Sequence, residues 1–135
     1  MDRLKTLQQA RRDKQATLDS FKVKRDGEGK IIPQKAETTF GVVMAVPMTY
    51  GDAEAMAERS KEEGGLDCDA VATYLRKHII SPDMGSVTGE IVKEDFKAMA
   101  VKALLDAVSE VSGMKDLMDV EVSEDGTAKV SLKND

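Results

Sequence analysis

The stretch 74-YLRKHIISPDM-84 decides how the middle of this chain is assembled. It gathers Arg76, Lys77 and the chain's only histidine, His78, then shows Ile79-Ile80 and breaks at Ser81-Pro82-Asp83. Upstream, "CDAVATYLRKHII" carries Val71, Tyr74, Leu75, His78 and Ile79 at helical spacing, with Asp67 in front as a cap. Pro82 disfavours a helical conformation at Ser81, so the pattern predicts a helix that runs through Ile80 and stops there. Ile79 and Ile80 then point to different sides of the helix end, one to a packed neighbour and one to a loop or an outside partner. Asp83 is placed to bond the backbone of the turn ahead. The segment reads as a joint between two packed helices.

Working outward, Asp52 is expected to cap "AEAMAERSKEE", with Gly64-Gly65 as its stop. Lys93-Glu94-Asp95 open "FKAMAVKALLDAVSEVSG", which Gly113 closes. There Phe96, Met99, Ala100, Ala103, Leu104, Ala107, Val108 and Val111 trace a nearly continuous apolar stripe. Three helices thus fill residues 52–113.

The flanks read as strands. In "TTFGVVMAVPM", Phe40, Val42, Met44 and Val46 share one face and Val43 and Ala45 the other, which predicts a central or covered strand ended by Pro47. "FKVKRDGEGKIIP" predicts a hairpin with a three-residue loop, Arg25-Asp26-Gly27, that pairs Lys24 with Glu28 and Phe21 with Ile31. The tail "MDVEVSEDGTAKVSL" is a second hairpin. A loop of Glu124-Asp125-Gly126 pairs Val122 with Ala128, Val120 with Val130 and Met118 with Leu132, gathering the apolar residues on one face. A hairpin alone is unstable, so that face must cover the domain or a partner. Residues 1–19 are expected to form a basic helical arm, because the stripe of "DRLKTLQQARRDKQATLDSF" (Leu4, Leu7, Ala10, Leu18 and Phe21) is thin for a buried helix. The expected architecture is α+β: the arm, then one domain over 20–135 with a small antiparallel sheet (20–47), a three-helix cluster and a C-terminal hairpin (118–132).

Composition narrows the function. The 135 residues include three Phe, two Tyr and no Trp, so the core must draw on aliphatic side chains and eight Met. A single cysteine, Cys68, cannot form an intrachain disulfide and fits a reducing compartment. The charged first twenty residues do not resemble a signal peptide, and "GVVMAVPM" is too short to span a bilayer. The expectation is a cytoplasmic protein without a membrane partner. The net charge of −5 is uneven: residues 1–35 hold ten Lys/Arg against five Asp/Glu, and the remainder ten against twenty. A basic arm on an acidic body suits a solvated helix face, the acidic body of a second copy in a homo-oligomer, or nucleic-acid phosphates. Nucleic acid is the weaker option, because no aromatic residues interleave the charges and the body would repel a duplex.

Chemistry finds little purchase. On one helix Cys68 and His78 stand about 15 Å apart along the axis and roughly 80° apart around it, so they cannot share a proton. Near a helix C-terminus the charged form of His78 is favoured by the dipole, which gives it a structural role. "DCD" (67–69) diverges on a helix, "SEDGTAK" lacks spaced calcium ligands, and "GEGK" (27–30) lacks the spacing of a phosphate loop. No catalytic, cofactor or metal residues are assigned, and the chain is read as a non-enzyme.

"CDAVATYLRKHIISPDM", a linker and "VKALLDAVSEVSGM" resemble the tail assembly chaperones of long-tailed bacteriophages and their prophage relatives. The resemblance rests on Ile79, Ile80, Pro82, Asp83 and Met84, then Leu104, Val108, Val111, Ser112 and Gly113, and it spans residues 66–114. It implies a protein without enzymatic activity that binds the tape measure protein, keeps it soluble and helps recruit tail tube protein. It also implies the cytoplasm of the infected host as the place of action and absence from the mature virion. Ile79, Ile80, Met84, Met114, Leu117 and Met118 are the expected partner contacts, since flexible Met suits an adaptable surface. The alternatives are a basic-armed nucleic-acid-binding accessory protein and a structural tail-completion subunit.

Overall fold

The computed structural model describes residues 15–114, 118–123 and 127–132. Residues 1–14 of the arm, Leu117 and the Glu124–Gly126 loop lie outside them. The architecture is α+β, with four helices, a three-stranded antiparallel sheet and a two-stranded hairpin among the described residues. The strands are β1 (Gln34–Thr38), β2 (Gly41–Ala45), β3 (Ile79–Ser81), β4 (Met118–Val122) and β5 (Ala128–Leu132). The helices are α1 (Tyr50–Glu63), α2 (Cys68–His78), α3 (Gly89–Asp95) and α4 (Ala98–Val111).

The opening stretch folds differently from its sequence pattern. Helix α2 ends at His78, and Ile79 is already extended at φ −110° and ψ 118°. Residues 79–81 then pair with β2, so the joint is helix to strand rather than helix to helix. Two β-branched residues ahead of a proline favour extension. The open edge of β2 supplies the partner: Val46 donates to the His78 carbonyl at 2.7 Å. Alternation along β3 sends Ile79 inward, at 2% exposure, and Ile80 outward, at 52%. Asp83 does bond the turn, accepting from Gly85 at 2.8 Å.

Strand β2 is central, in the order β1-β2-β3. Its inner face, Val43 and Ala45 with Ala36 of β1, is buried and packs toward α4. Its outer face carries the larger residues, and Phe40 and Val42 are exposed. The strand is therefore covered on one side only. Helix α4 lies between the two β elements, against β1 and β2 on one side and β4 on the other. Leu75, Leu105, Val71 and Val108 are the largest fully buried side chains, each contributing about 1.5–3 kcal/mol of transfer energy.

Several local readings are corrected. The single helix expected between Lys93-Glu94-Asp95 and Gly113 is broken: Lys93–Asp95 belong to α3, capped by the Thr88 hydroxyl accepting from Ile91 at 3.3 Å, and α4 starts only at Ala98. Phe96 and Lys97 between them are extended, which turns the Phe96 ring against the core. Thr49, not Asp52, caps α1; Asp52 completes a reciprocal capping box three residues on, at 3.2 and 3.3 Å. In the first hairpin Arg25 pairs with Ile31, and Lys24 accepts from Ile32 at 2.9 Å. Gly29 takes the left-handed position (φ 83°), because the Asp26 carboxylate accepts from the backbone of both Glu28 and Lys30 and so widens the loop. Leu18–Phe21 form one exposed 3-10 turn, so Phe21 does not face Ile31.

The second hairpin has the expected register, with Val120 on Val130 and Val122 on Ala128. Its buried face covers the domain: β5 packs on α1, and Val120, Ala128 and Val130 are buried. Leu66 exchanges two hydrogen bonds with Ala128, at 2.5 and 2.8 Å, and the Ser60 hydroxyl accepts from Val130 at 2.9 Å. Gly64 ends α1 at φ 72°, and Gly65 follows at φ 126°, where a Cβ would strike the Thr127 methyl.

Candidate functional site: an apolar groove beside Pro82

Three elements leave a groove of about 520 Å³ between them: the β1–β2 turn, the Ser81-Pro82 turn after β3, and the start of α4. Phe40, Val42, Pro82, Phe96, Ala100 and Ala103 supply most of its apolar wall, and the exposed charges Asp95 and Lys97 line it as well. Lys97 stands 6.0 Å from the centroid of the Phe40 ring, within range of a cation–π contact. Lys97 is also the N-cap residue of α4, where its ammonium, a donor only, cannot cap the helix. The groove exists because β2 turns its larger apolar face outward and because the α4 stripe is wider than its neighbours cover. Toward the C-terminus of that stripe Ala107 and Val108 are sealed, while Met99 at its start is 66% exposed.

The expected contact residues divide. Ile79 and Met114 are core residues, at 2% and 6% exposure, while Met84, also 6% exposed, lines the groove. Ile80 is open, one residue before the groove-lining Ser81. Leu117 lies outside the described residues; Met118 pairs with Leu132 through its backbone. The methionines mostly fill the interior, since Met48 and Met56 are buried too. An aromatic-poor core uses the flexible thioether as filler, and Met99 is the described methionine left exposed among the large hydrophobics. Phe40, Val42, Phe96 and Ala100 were not singled out as contacts from sequence. The signal was present in the doubly apolar pattern of "TTFGVVMAVPM" and in the width of the α4 stripe.

The chemistry-bearing residues are built into the fold. Cys68 and His78 occupy opposite ends of α2. His78 is 3% exposed, stacks on Tyr74 with ring centroids 4.7 Å apart, and places Nδ1 3.0 Å from the Val46 carbonyl. A carbonyl only accepts, so Nδ1 carries the proton. Burial pushes the imidazole below its ordinary range; Lys77 acts in the same direction, against the Val46 bond and Asp52. The neutral ring is favoured, contrary to the expectation from the helix dipole, because desolvation outweighs the dipole at this depth. Tyr74 donates to the Met48 sulfur at 3.0 Å, and burial, with Asp52 adding, raises its phenol. Asp67 caps α2 by accepting from Ala70 at 2.8 Å. Among the described residues no group of three or more His, Cys, Asp or Glu is placed to hold a metal ion, and no helix is long and apolar enough to cross a membrane. No protein-family model, curated protein or solved structure matches the chain significantly.

Proposed function

We infer that this chain is a binding protein without catalytic activity, whose groove beside Pro82 takes the apolar face of another polypeptide. The partner the sequence resemblance implies is a tape measure protein, and the role is that of a tail assembly chaperone acting in the cytoplasm of an infected bacterium. One observation carries this reading: Phe40, Val42 and Phe96 form an apolar groove together with Pro82 and Met84, two of the residues that bear the resemblance. Helix-in-groove recognition needs such a concave apolar surface, with a few charges to set register, and Asp95 and Lys97 are available for that. Contact passes from the buried Ile79 and Met114 to Ile80 and to the groove wall, Met84 included.

The test is co-expression with a tape measure protein. Co-expression raises that protein's soluble fraction, and Val42→Asp or Ala100→Asp lowers it while the variants themselves stay folded. An unchanged soluble fraction with the native chain overturns the reading.

A further inference from the structure

Strand β1 is at the edge of its sheet, and its register decides which backbone groups are left over. Thr38 and Gly41 face each other across the Thr39-Phe40 turn, which makes them a hydrogen-bonded pair. Pairs alternate along an antiparallel ladder, so Ala36–Val43 and Gln34–Ala45 are hydrogen-bonded as well. The N–H and C=O groups of Lys35 and Glu37 therefore point away from β2. Both residues are exposed, and among the described residues no hydrogen bond outside the ladder reaches those groups.

An edge of unpaired backbone groups is a template for another strand, and proteins often blunt it with charged side chains, which repel a second copy where they meet their own sign. Here Lys35 and Glu37 carry opposite signs on either side of the small, buried Ala36. A second β1 running antiparallel about a two-fold axis through Ala36 brings residues equidistant from that centre together. Lys35 meets Glu37 of the second copy, and Glu37 meets its Lys35. These are the residues whose backbone groups face outward, so the ladder bonds and the ion pairs form in one register.

We propose that this edge is a self-association site, at which two copies join β1 to β1 into one continuous sheet. The contact is an isologous one, the same patch on both copies. It is short, which places it among weak, concentration-dependent interfaces. Val42 and Met44 of both copies lie on the same face of the joined sheet, so a partner that binds this face meets it twice.

Sedimentation equilibrium of the full chain tests the proposal with charge swaps. Lys35→Glu and Glu37→Lys each bring like charges together, and each raises the dimer Kd about tenfold or more, while the double swap returns it to within about threefold. Circular dichroism confirms that these variants, altered only at exposed positions, remain folded. The dimer of the native chain also weakens as salt rises. A monomer at every concentration up to about 1 mM in low salt overturns the proposal. So does a dimer whose Kd ignores the single swaps, since its interface is then elsewhere, or a double swap that fails to recover.

Discussion

His78 and Val46 hold each other by two hydrogen bonds. The Val46 N–H donates to the His78 carbonyl at 2.7 Å, and the His78 Nδ1–H donates to the Val46 carbonyl at 3.0 Å. The pair closes β2 onto the α2–β3 junction, and the ring that makes it is buried in its neutral form. Because burial lowers the folded imidazole below its ordinary 6.5, the unfolded chain binds a proton that the folded chain refuses. His78 therefore costs no stability above about pH 6.5 and removes stability as pH falls below it. Urea midpoints measured from pH 8 to pH 5 should decline through that window. His78→Asn keeps a donor near the Val46 carbonyl but does not titrate, so its decline should be shallower.

Ile79 and Ile80 are neighbours with opposite environments. Ile79→Ala removes a side chain that is 2% exposed and should cost about 2–5 kcal/mol in chemical denaturation. Ile80→Ala alters an exposed residue of β3 and should stay within about 0.5 kcal/mol of the native chain. Equal losses at the two positions would contradict the extended conformation after His78.

Ser112 ties the end of α4 to the segment after β2. Its hydroxyl donates to the Val108 carbonyl at 2.5 Å and accepts from the Met48 N–H at 2.7 Å. Ser112→Ala leaves that partly buried N–H without its acceptor, at a cost of about 1–3 kcal/mol. Ser112→Thr, which keeps the hydroxyl, should recover most of the loss in the same urea titration.

Gly65 should tolerate substitution less well than Gly64. Both have positive φ, but only at Gly65 would a Cβ also meet the Thr127 side chain. Gly64→Ala carries the left-handed penalty of about 1 kcal/mol, whereas Gly65→Ala adds a collision with the Thr127 methyl, next to the start of β5. Amide exchange at Ala128 and Val130, which donate to Leu66 and Ser60, should accelerate in the Gly65 variant and change little in the Gly64 variant.

What was legible in the sequence follows from how local its cause is. The register of β4 on β5 came from the alternation of Val120, Val122, Ala128 and Val130 alone, because a one-residue slip would mix polar and apolar faces. The Asp67 cap and the Gly64 stop were equally readable, since each acts within a turn of its own helix. Residues 79–81 were not, because their extension depends on an open strand edge more than thirty residues earlier in the chain. The same distance hid the state of His78: its spacing said helix end, while the depth that sets its protonation comes from β2 and α1. The groove was half legible. Phe40, Val42, Phe96 and Ala100 could be seen to be apolar in excess of need, but not that their open sides would meet around Pro82.

The hydrogen bond from Val130 to Ser60 joins positions seventy residues apart and closes β5 over α1. A chain made from its N-terminus therefore completes α1 long before the strand that roofs it has left the ribosome. Ser60, buried in the finished protein, is without its strand partner during that interval. The earliest α-helix among the described residues is thus roofed by the last of the described strands.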